Sequence, residues 1–149
     1  MLIYGASGAV GTSAVQIAKH LGAEVTGVCG TTNLELVRSL GADEVLDYTQ
    51  EDFALNAGTY DVVFDAVGKL DPSHGKKALK KAGTYLNVLT ASGRSEKSED
   101  LLFVKELAET GKIRPVVDRR YPLEQIVEAH RYVDQGHKKG NVAIMVTHD

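Results

Sequence analysis

A chain of 149 residues is the length of one domain and can bury roughly 70% of the surface its unfolded form exposes, so neither a metal nor a disulfide is required to hold it. With 43% hydrophobic and 25% charged residues, a net charge of -3 and no apolar run near the ~20 residues of a bilayer span, the composition predicts a globular protein, with no membrane segment and no general attraction for nucleic acid. The single cysteine, Cys29, excludes an internal disulfide and a thiolate metal site; the opening residues carry no Lys or Arg before Lys19, which is not the pattern of a signal peptide, so the cytoplasm is the expected compartment.

In chain order, Leu2, Ile3 and Tyr4 form a first apolar strand, and the turn GASGAVG at 5–11 follows. Ala14, Ile17, Ala18 and Leu21 then recur at helical spacing, with Gly22 as a stop. EVTGVC at 24–29 reads as a second strand, after which Thr32 and Glu35 form a T-x-x-E capping box that opens a helix through Leu40, closed by Gly41. EVLDY at 44–48 is a third strand and YDVVFDAVG at 60–68 a buried fourth. KKALKK at 76–81 reads as the solvated face of a helix ended by Gly83, before a fifth strand, TYLNVLT, at 84–90. ASGRSEKS at 91–98 is small and polar, a loop or linker. Beyond it the pattern predicts a helix from about Glu99 to Thr110, an extended PVVD at 115–118, an amphipathic helix around Leu123 to Gln135 and a last strand, NVAIMV, at 141–146. Strands alternating with helices predict an α/β fold: a doubly wound parallel sheet in three layers.

In such a sheet the turn after the first strand faces the ligand crevice, and the helix that follows aims its free N–H groups and positive dipole end at it. Residues 6–11 align on the dinucleotide fingerprint G-x-G-x-x-G, with Gly8 for close approach of a pyrophosphate, Gly11 for helix–strand packing and Ala6 where the first glycine would stand. Taken alone, the turn could equally serve only to reverse the chain. No Gly-Lys-Ser/Thr follows, which disfavours a Walker phosphate loop.

Four blocks, GASGAVGTSAVQIAKHLGAEVTGV, LVRSLGADEVLDYTQEDF, YDVVFDAVG and GKIRPVVDRRYPLEQIVEAHRYVDQGHKKGNVAIMV, resemble the medium-chain dehydrogenase/reductase superfamily in its zinc-independent quinone oxidoreductase branch. The resemblance implies a Rossmann domain holding a nicotinamide dinucleotide, over residues 1–93, with residues 94–149 as a C-terminal helix-strand-helix-strand segment packed on it. It also implies hydride transfer to small carbonyl, enone or quinone substrates, the substrate pocket coming mostly from an N-terminal barrel-like domain. The 149 residues begin at the first cofactor-domain strand and pass from the fifth strand to the C-terminal segment without the usual sixth strand. The expectation is a trimmed cofactor domain with no turnover of its own; the alternative is a non-catalytic dinucleotide-binding module or partner subunit. The bare edge at 84–90 is expected to pair with 141–146 or to join a second copy in a homo-oligomer.

The candidate cofactor residues are Ser7, Gly8, Ala9 and Val10 for the pyrophosphate and Gly30, Thr31, Thr32 and Asn33 for the ribose 2′ substituent. The resemblance adds Ala66, Val67 and Gly68 on the ribose and adenine side, Leu89, Thr90 and Ala91 near the nicotinamide, and Tyr48 near the adenosine ribose phosphate. For Tyr48 a half-buried strand residue is an equal reading. Cys29, neutral where NAD-selective folds place a carboxylate, points to NADP(H), with NAD(H) as the second ligand; the preference expected is about tenfold because the nearest cation is Arg38, and Cys29→Asp is expected to shift it toward NADH. No metal is expected: His130, Asp134 and His137 share a helical face at i, i+4 and i+7, but Gly136 breaks that helix before His137. Tyr85, Tyr121 and His74 have no partner spacing for proton transfer, and no catalytic residue is assigned.

Overall fold

A computed structural model describes residues 1–55, 58–91 and 97–146. Five strands, β1 (Leu2–Tyr4), β2 (Thr26–Cys29), β3 (Glu44–Asp47), β4 (Tyr60–Asp65) and β5 (Leu79–Asn87), form one parallel sheet in the order β3-β2-β1-β4-β5. Helix α1 (Ala9–His20) carries the chain from β1 to β2, α2 (Leu34–Ser39) from β2 to β3, and α3 (Pro72–Lys77) from β4 to β5. The chain builds outward from β1 to β3 and then returns to the other side of β1, so the crevice at the carboxyl ends of β1 and β4 is a topological switch point. Alternation along β1 feeds both faces. Ile3 packs with Val15, Ala18, Val25 and Val37 on one side, while Leu2 packs with Val28, Leu46, Phe53 and Val63 on the other.

Three expectations about elements are corrected. Residues Thr31–Asn33 make a 3-10 turn and α2 starts at Leu34, so Thr32 caps nothing; the neighbouring Thr31 hydroxyl is held by Asp47 and Glu35 pairs with Arg38 at 2.6 Å. The lysine-bearing helix stops at Lys77. The N–H groups of Thr59 and Tyr60 both donate to the Ala78 carbonyl, 3.0 and 3.1 Å, which ties residue 78 to the start of β4 and draws the chain into β5; Lys80 therefore lies in a strand, 2.9 Å from Asp61. Strand β5 ends at Asn87, whose side chain accepts from the Leu89 N–H at 2.8 Å, and residues 88–91 form a helical turn, α4 (Val88–Ala91).

The C-terminal segment contains α5 (Ser98–Glu109), β6 (Val117–Pro122), α6 (Ile126–Asp134) and β7 (Asn141–Met145). Strand β7 pairs with β6 in a separate two-stranded parallel sheet, which corrects the expected pairing with the 84–90 edge; β5 has β4 as its neighbour. Among the described residues, hydrogen bonds tie the segment to the rest of the fold at two points, and Phe103 on α5 lies against His20 on α1, ring centroids 6.2 Å apart. Gln16 on α1 exchanges two hydrogen bonds with the Arg114 backbone, at 3.0 and 2.8 Å, and the Gly140 N–H donates to the Ser7 carbonyl at 2.8 Å. The polar stretch expected as a linker at 91–98 lies largely outside the described residues. Among the described residues no helix is long and apolar enough to cross a membrane.

Candidate cofactor cleft

The turn after β1 is made by Gly5, one residue earlier than the fingerprint alignment suggests. Its φ of +78° is in the left-handed region, and a Cβ there would sit 2.1 Å from Val67. Ala6, which stands in the first fingerprint position, is instead fully buried core. Gly11 has the packing role expected: a Cβ would lie 2.1 Å from the Gly5 carbonyl oxygen, so α1 sits on the strand end only without one. Gly8 differs from both. It is the N-cap of α1, with no side-chain cap, and a Cβ there would meet only the Gly5 oxygen at 3.5 Å, leaving its open side toward the cleft. The first N–H groups of a 12-residue helix with no acidic side chain in its first turn therefore face open space.

That space is a cleft of about 630 Å³. Ser7, Gly8, Ala9 and Val10 form its floor, Gly30, Thr32, Asn33 and Tyr48 its β2–β3 side, and Ala66 and Val67 its β4 side. The structure thus brings ten of the expected residues to one cleft. Thr31 is not among them: its hydroxyl turns away to donate to Asp47 at 2.5 Å. Gly68 lies just past the lining, with Leu89 packed where its Cβ would be, and Leu89 and Thr90 sit on α4 outside the cleft; Ala91 is the last residue of α4. Asn33 joins the β2 side to the floor through its amide, which donates to Ser7 Oγ at 3.3 Å, while its Oδ1 is buried without a partner.

Two buried carboxylates shape the walls. Asp47 accepts from Thr31, from the Thr49 N–H at 2.9 Å and from the Thr49 hydroxyl at 2.7 Å; the Thr31 hydroxyl first, then Thr49, hold its carboxyl below the usual range. This fixes the 30–33 turn against the strand that presents Tyr48. Asp65, 0% exposed at the end of β4, accepts from the N–H groups of Val67, Gly68 and Leu70 at 3.0, 2.8 and 3.0 Å and from Asn87 at 3.0 Å. It holds the whole β4–α3 loop. Cys29 touches the cleft but is 1% exposed, and burial, followed by the Asp47 charge, pushes its thiol up to about 11.

Sequence reasoning missed Asp65, Lys69 and the wall formed by Val133, Gly136, His137 and Lys138. Asp65 reads as the last residue of a buried strand, and the signal that marks it is a carboxylate followed by a glycine turn, the pattern of a side chain capping its own loop. The 136–140 turn is brought in by the Gly140–Ser7 bond, between residues more than 130 apart in sequence. A second cavity, about 520 Å³, adjoins the cleft across Tyr4, Tyr48 and Lys69; the rings of Tyr4, Phe53 and His74 follow one another along it, and His74 Nε2 lies 2.7 Å from Asp52. Among the described residues no group of three or more His, Cys, Asp or Glu could hold a metal, and α6 ends at Asp134, before His137.

Residues 9–128 match the family model described as zinc-binding dehydrogenase. The chain belongs to this family. A relative from Arabidopsis thaliana, an NADPH-dependent alkenal/one oxidoreductase, chloroplastic, is 34% identical over 158 residues, covering 97% of this chain and 40% of its own length. This chain also overlays two solved structures: the quinone oxidoreductase from Coxiella burnetii, at TM-score 0.77 and 25% identity, with 98% of this chain and 52% of that one covered, and a thermostable alcohol dehydrogenase from Pyrobaculum aerophilum, at TM-score 0.82 and 26% identity, with 97% and 49% covered. The chain therefore spans about half the length of the relatives it matches. The five-stranded parallel sheet is the Rossmann-like cofactor domain of the medium-chain dehydrogenase/reductase superfamily, as the sequence resemblance implies.

Proposed function

We propose that this chain is the dinucleotide-holding part of an NADP(H)-dependent oxidoreductase that acts on quinone, enone or other small carbonyl substrates. The observation that carries the reading is the uncapped N-terminus of α1 opening, across Gly8, onto a cleft at the switch point of the sheet. The names of the alkenal/one and quinone oxidoreductase relatives support the substrate class. The bound nicotinamide supplies hydride chemistry. The residues of the chain bind and orient it: Ser7, Gly8, Ala9 and Val10 line the pyrophosphate position, where Gly8 gives close approach while its own N–H donates to the Gly5 carbonyl at 3.1 Å, Gly30, Thr32, Asn33 and Tyr48 lie toward the adenosine ribose from the β2–β3 side, and Ala66 and Val67 face it from the β4 side. Gly68 stays assigned with Ala66 and Val67 to the ribose and adenine side and Leu89, Thr90 and Ala91 to the nicotinamide end, with Thr31 in a supporting role through Asp47.

Residues 1–93 are proposed as the binding unit and 94–149 as a segment that closes one wall. NADPH is proposed to bind about tenfold tighter than NADH, roughly 1.4 kcal/mol. The reaction is proposed to be zinc-independent, the thiol beside the cleft, Cys29, being buried. The cytoplasm is proposed as the compartment, and self-association through the β5 edge as the oligomeric contact; the Arabidopsis relative is named a chloroplastic protein. Titration of the chain with NADPH while following nicotinamide fluorescence tests the binding, and a panel of quinones and enones tests turnover. Saturable binding supports the cofactor reading, quinone or enone reduction by the bound dinucleotide supports the substrate class, and no binding overturns the cofactor reading.

A further inference from the structure

The stretch after β2 has no cation for a ribose 2′-phosphate: Arg38 is bound to Glu35 at 2.6 Å and does not line the cleft. Three basic side chains enter the cleft from elsewhere, Lys69, His137 and Lys138. Lys138 is committed, its ammonium donating to the Gly140 carbonyl at 2.7 Å, where it braces the turn bonded to Ser7. Lys69 has no hydrogen bond or ion pair with any described residue. It stands on the ridge shared by the cleft and the adjoining cavity, together with Tyr48, whose ring lies within 4 Å of the space a Cβ at Gly30 would fill. Of the carboxylates on the smaller cavity, Asp52 is taken by His74 and Asp71 caps α3 through the Ser73 N–H at 2.7 Å; Glu51 is the third.

We infer that Lys69 supplies the cation for the 2′-phosphate of NADP(H), on the same cleft as Tyr48, which the family resemblance already sets near the ribose phosphate. The inference rests on the proposed cofactor role and names the residue that sets its preference. A phosphate monoester carries close to two negative charges and only acceptor oxygens at neutral pH, so it requires cations and hydroxyl donors at its own height in the cleft. Lys69 supplies the charge from the far side of β1, in place of the missing one after β2. Its placement is also fixed in advance, because Asp65 bonds the N–H groups on either side of it, at Gly68 and Leu70. An ammonium on a pinned loop needs less ordering when the phosphate arrives.

Paired titrations of the wild type, Lys69→Gln, Lys69→Arg and Lys138→Gln with NADPH, NADH, 2′-AMP and 5′-AMP test the assignment, with the fold of each variant checked by thermal unfolding. Lys69→Gln is expected to weaken NADPH and 2′-AMP tenfold or more and to leave NADH and 5′-AMP within twofold. Lys69→Arg is expected to restore most of the loss, and Lys138→Gln to leave the NADPH/NADH ratio unchanged. An unchanged ratio in Lys69→Gln, whether both ligands weaken together or neither does, overturns the inference while the cofactor reading stands. A wild type that binds neither dinucleotide overturns both.

Discussion

Gly8 and Gly11 stand three residues apart in one turn and carry opposite expectations. A methyl group at Gly11 would overlap the backbone at Gly5 and Ala6, so Gly11→Ala is expected to cost about 2 kcal/mol, in the range of core overpacking, and to be read as a lower midpoint in urea. A Cβ at Gly8 meets only the Gly5 oxygen, at 3.5 Å, so Gly8→Leu is expected to cost about 1 kcal/mol or less, from the N-cap preference, while abolishing dinucleotide binding. Asp65→Asn removes the charge that holds three loop N–H groups and is expected to destabilise by about 2 kcal/mol, measured in the same way. The glycines were legible because their spacing is itself the signal. Asp65 and Lys69 were not, since their roles depend on a loop geometry that no periodicity announces. Cys29 was read as the ribose-selecting position, but it is sealed in the core beside Asp47, so Cys29→Asp would bury a carboxylate near another and is expected to unfold the protein before it alters selectivity.

Among the elements, the 30–33 turn depends on β3 through Asp47. The native carboxyl of Asp47 is held below its unfolded value, about 3.9, so the unfolded chain binds the extra proton first as the pH falls. Its stabilising contribution is therefore full above about pH 5 and is lost as the pH drops through the depressed native value. Asp47→Asn is expected to be less stable than the wild type at pH 7 and to converge with it in acid, as followed by thermal unfolding across pH; a constant difference down to pH 2 would contradict this. The helix pattern over KKALKK misled because four lysines at 76–81 fit a solvated helix as well as an edge strand, and what decides between them is the bond of Thr59 and Tyr60 to residue 78. The strand ends at Asn87 for a similar reason: the Asn87 side chain turns the chain into α4, a choice that β-propensity over TYLNVLT does not encode.

At the scale of the whole molecule, a parallel sheet with helical crossovers follows from the alternation of strands and helices, which is why the fold class could be read from sequence, while the order β3-β2-β1-β4-β5 comes from the structure. Partnering could not. Strand β7 is expected from the sequence at the open edge of the large sheet, within one molecule or between two, yet it pairs with β6; among the described residues no strand covers the outer edge of β5, and Leu86 is 40% exposed. A bare parallel edge with apolar side chains invites a second copy. Leu86→Lys is accordingly expected to lower any self-association seen by sedimentation at high protein concentration, without changing the far-ultraviolet spectrum.

The central claim is that the open helix start at Gly8 receives the pyrophosphate of a nicotinamide dinucleotide, and calorimetric titration with NADPH of the wild type and Gly8→Leu, side by side, tests it most directly. Saturable one-to-one binding by the wild type, lost in a Gly8→Leu protein that is still folded at the titration temperature, is the predicted result. Absence of binding by the wild type, or equal binding by both proteins, would contradict it.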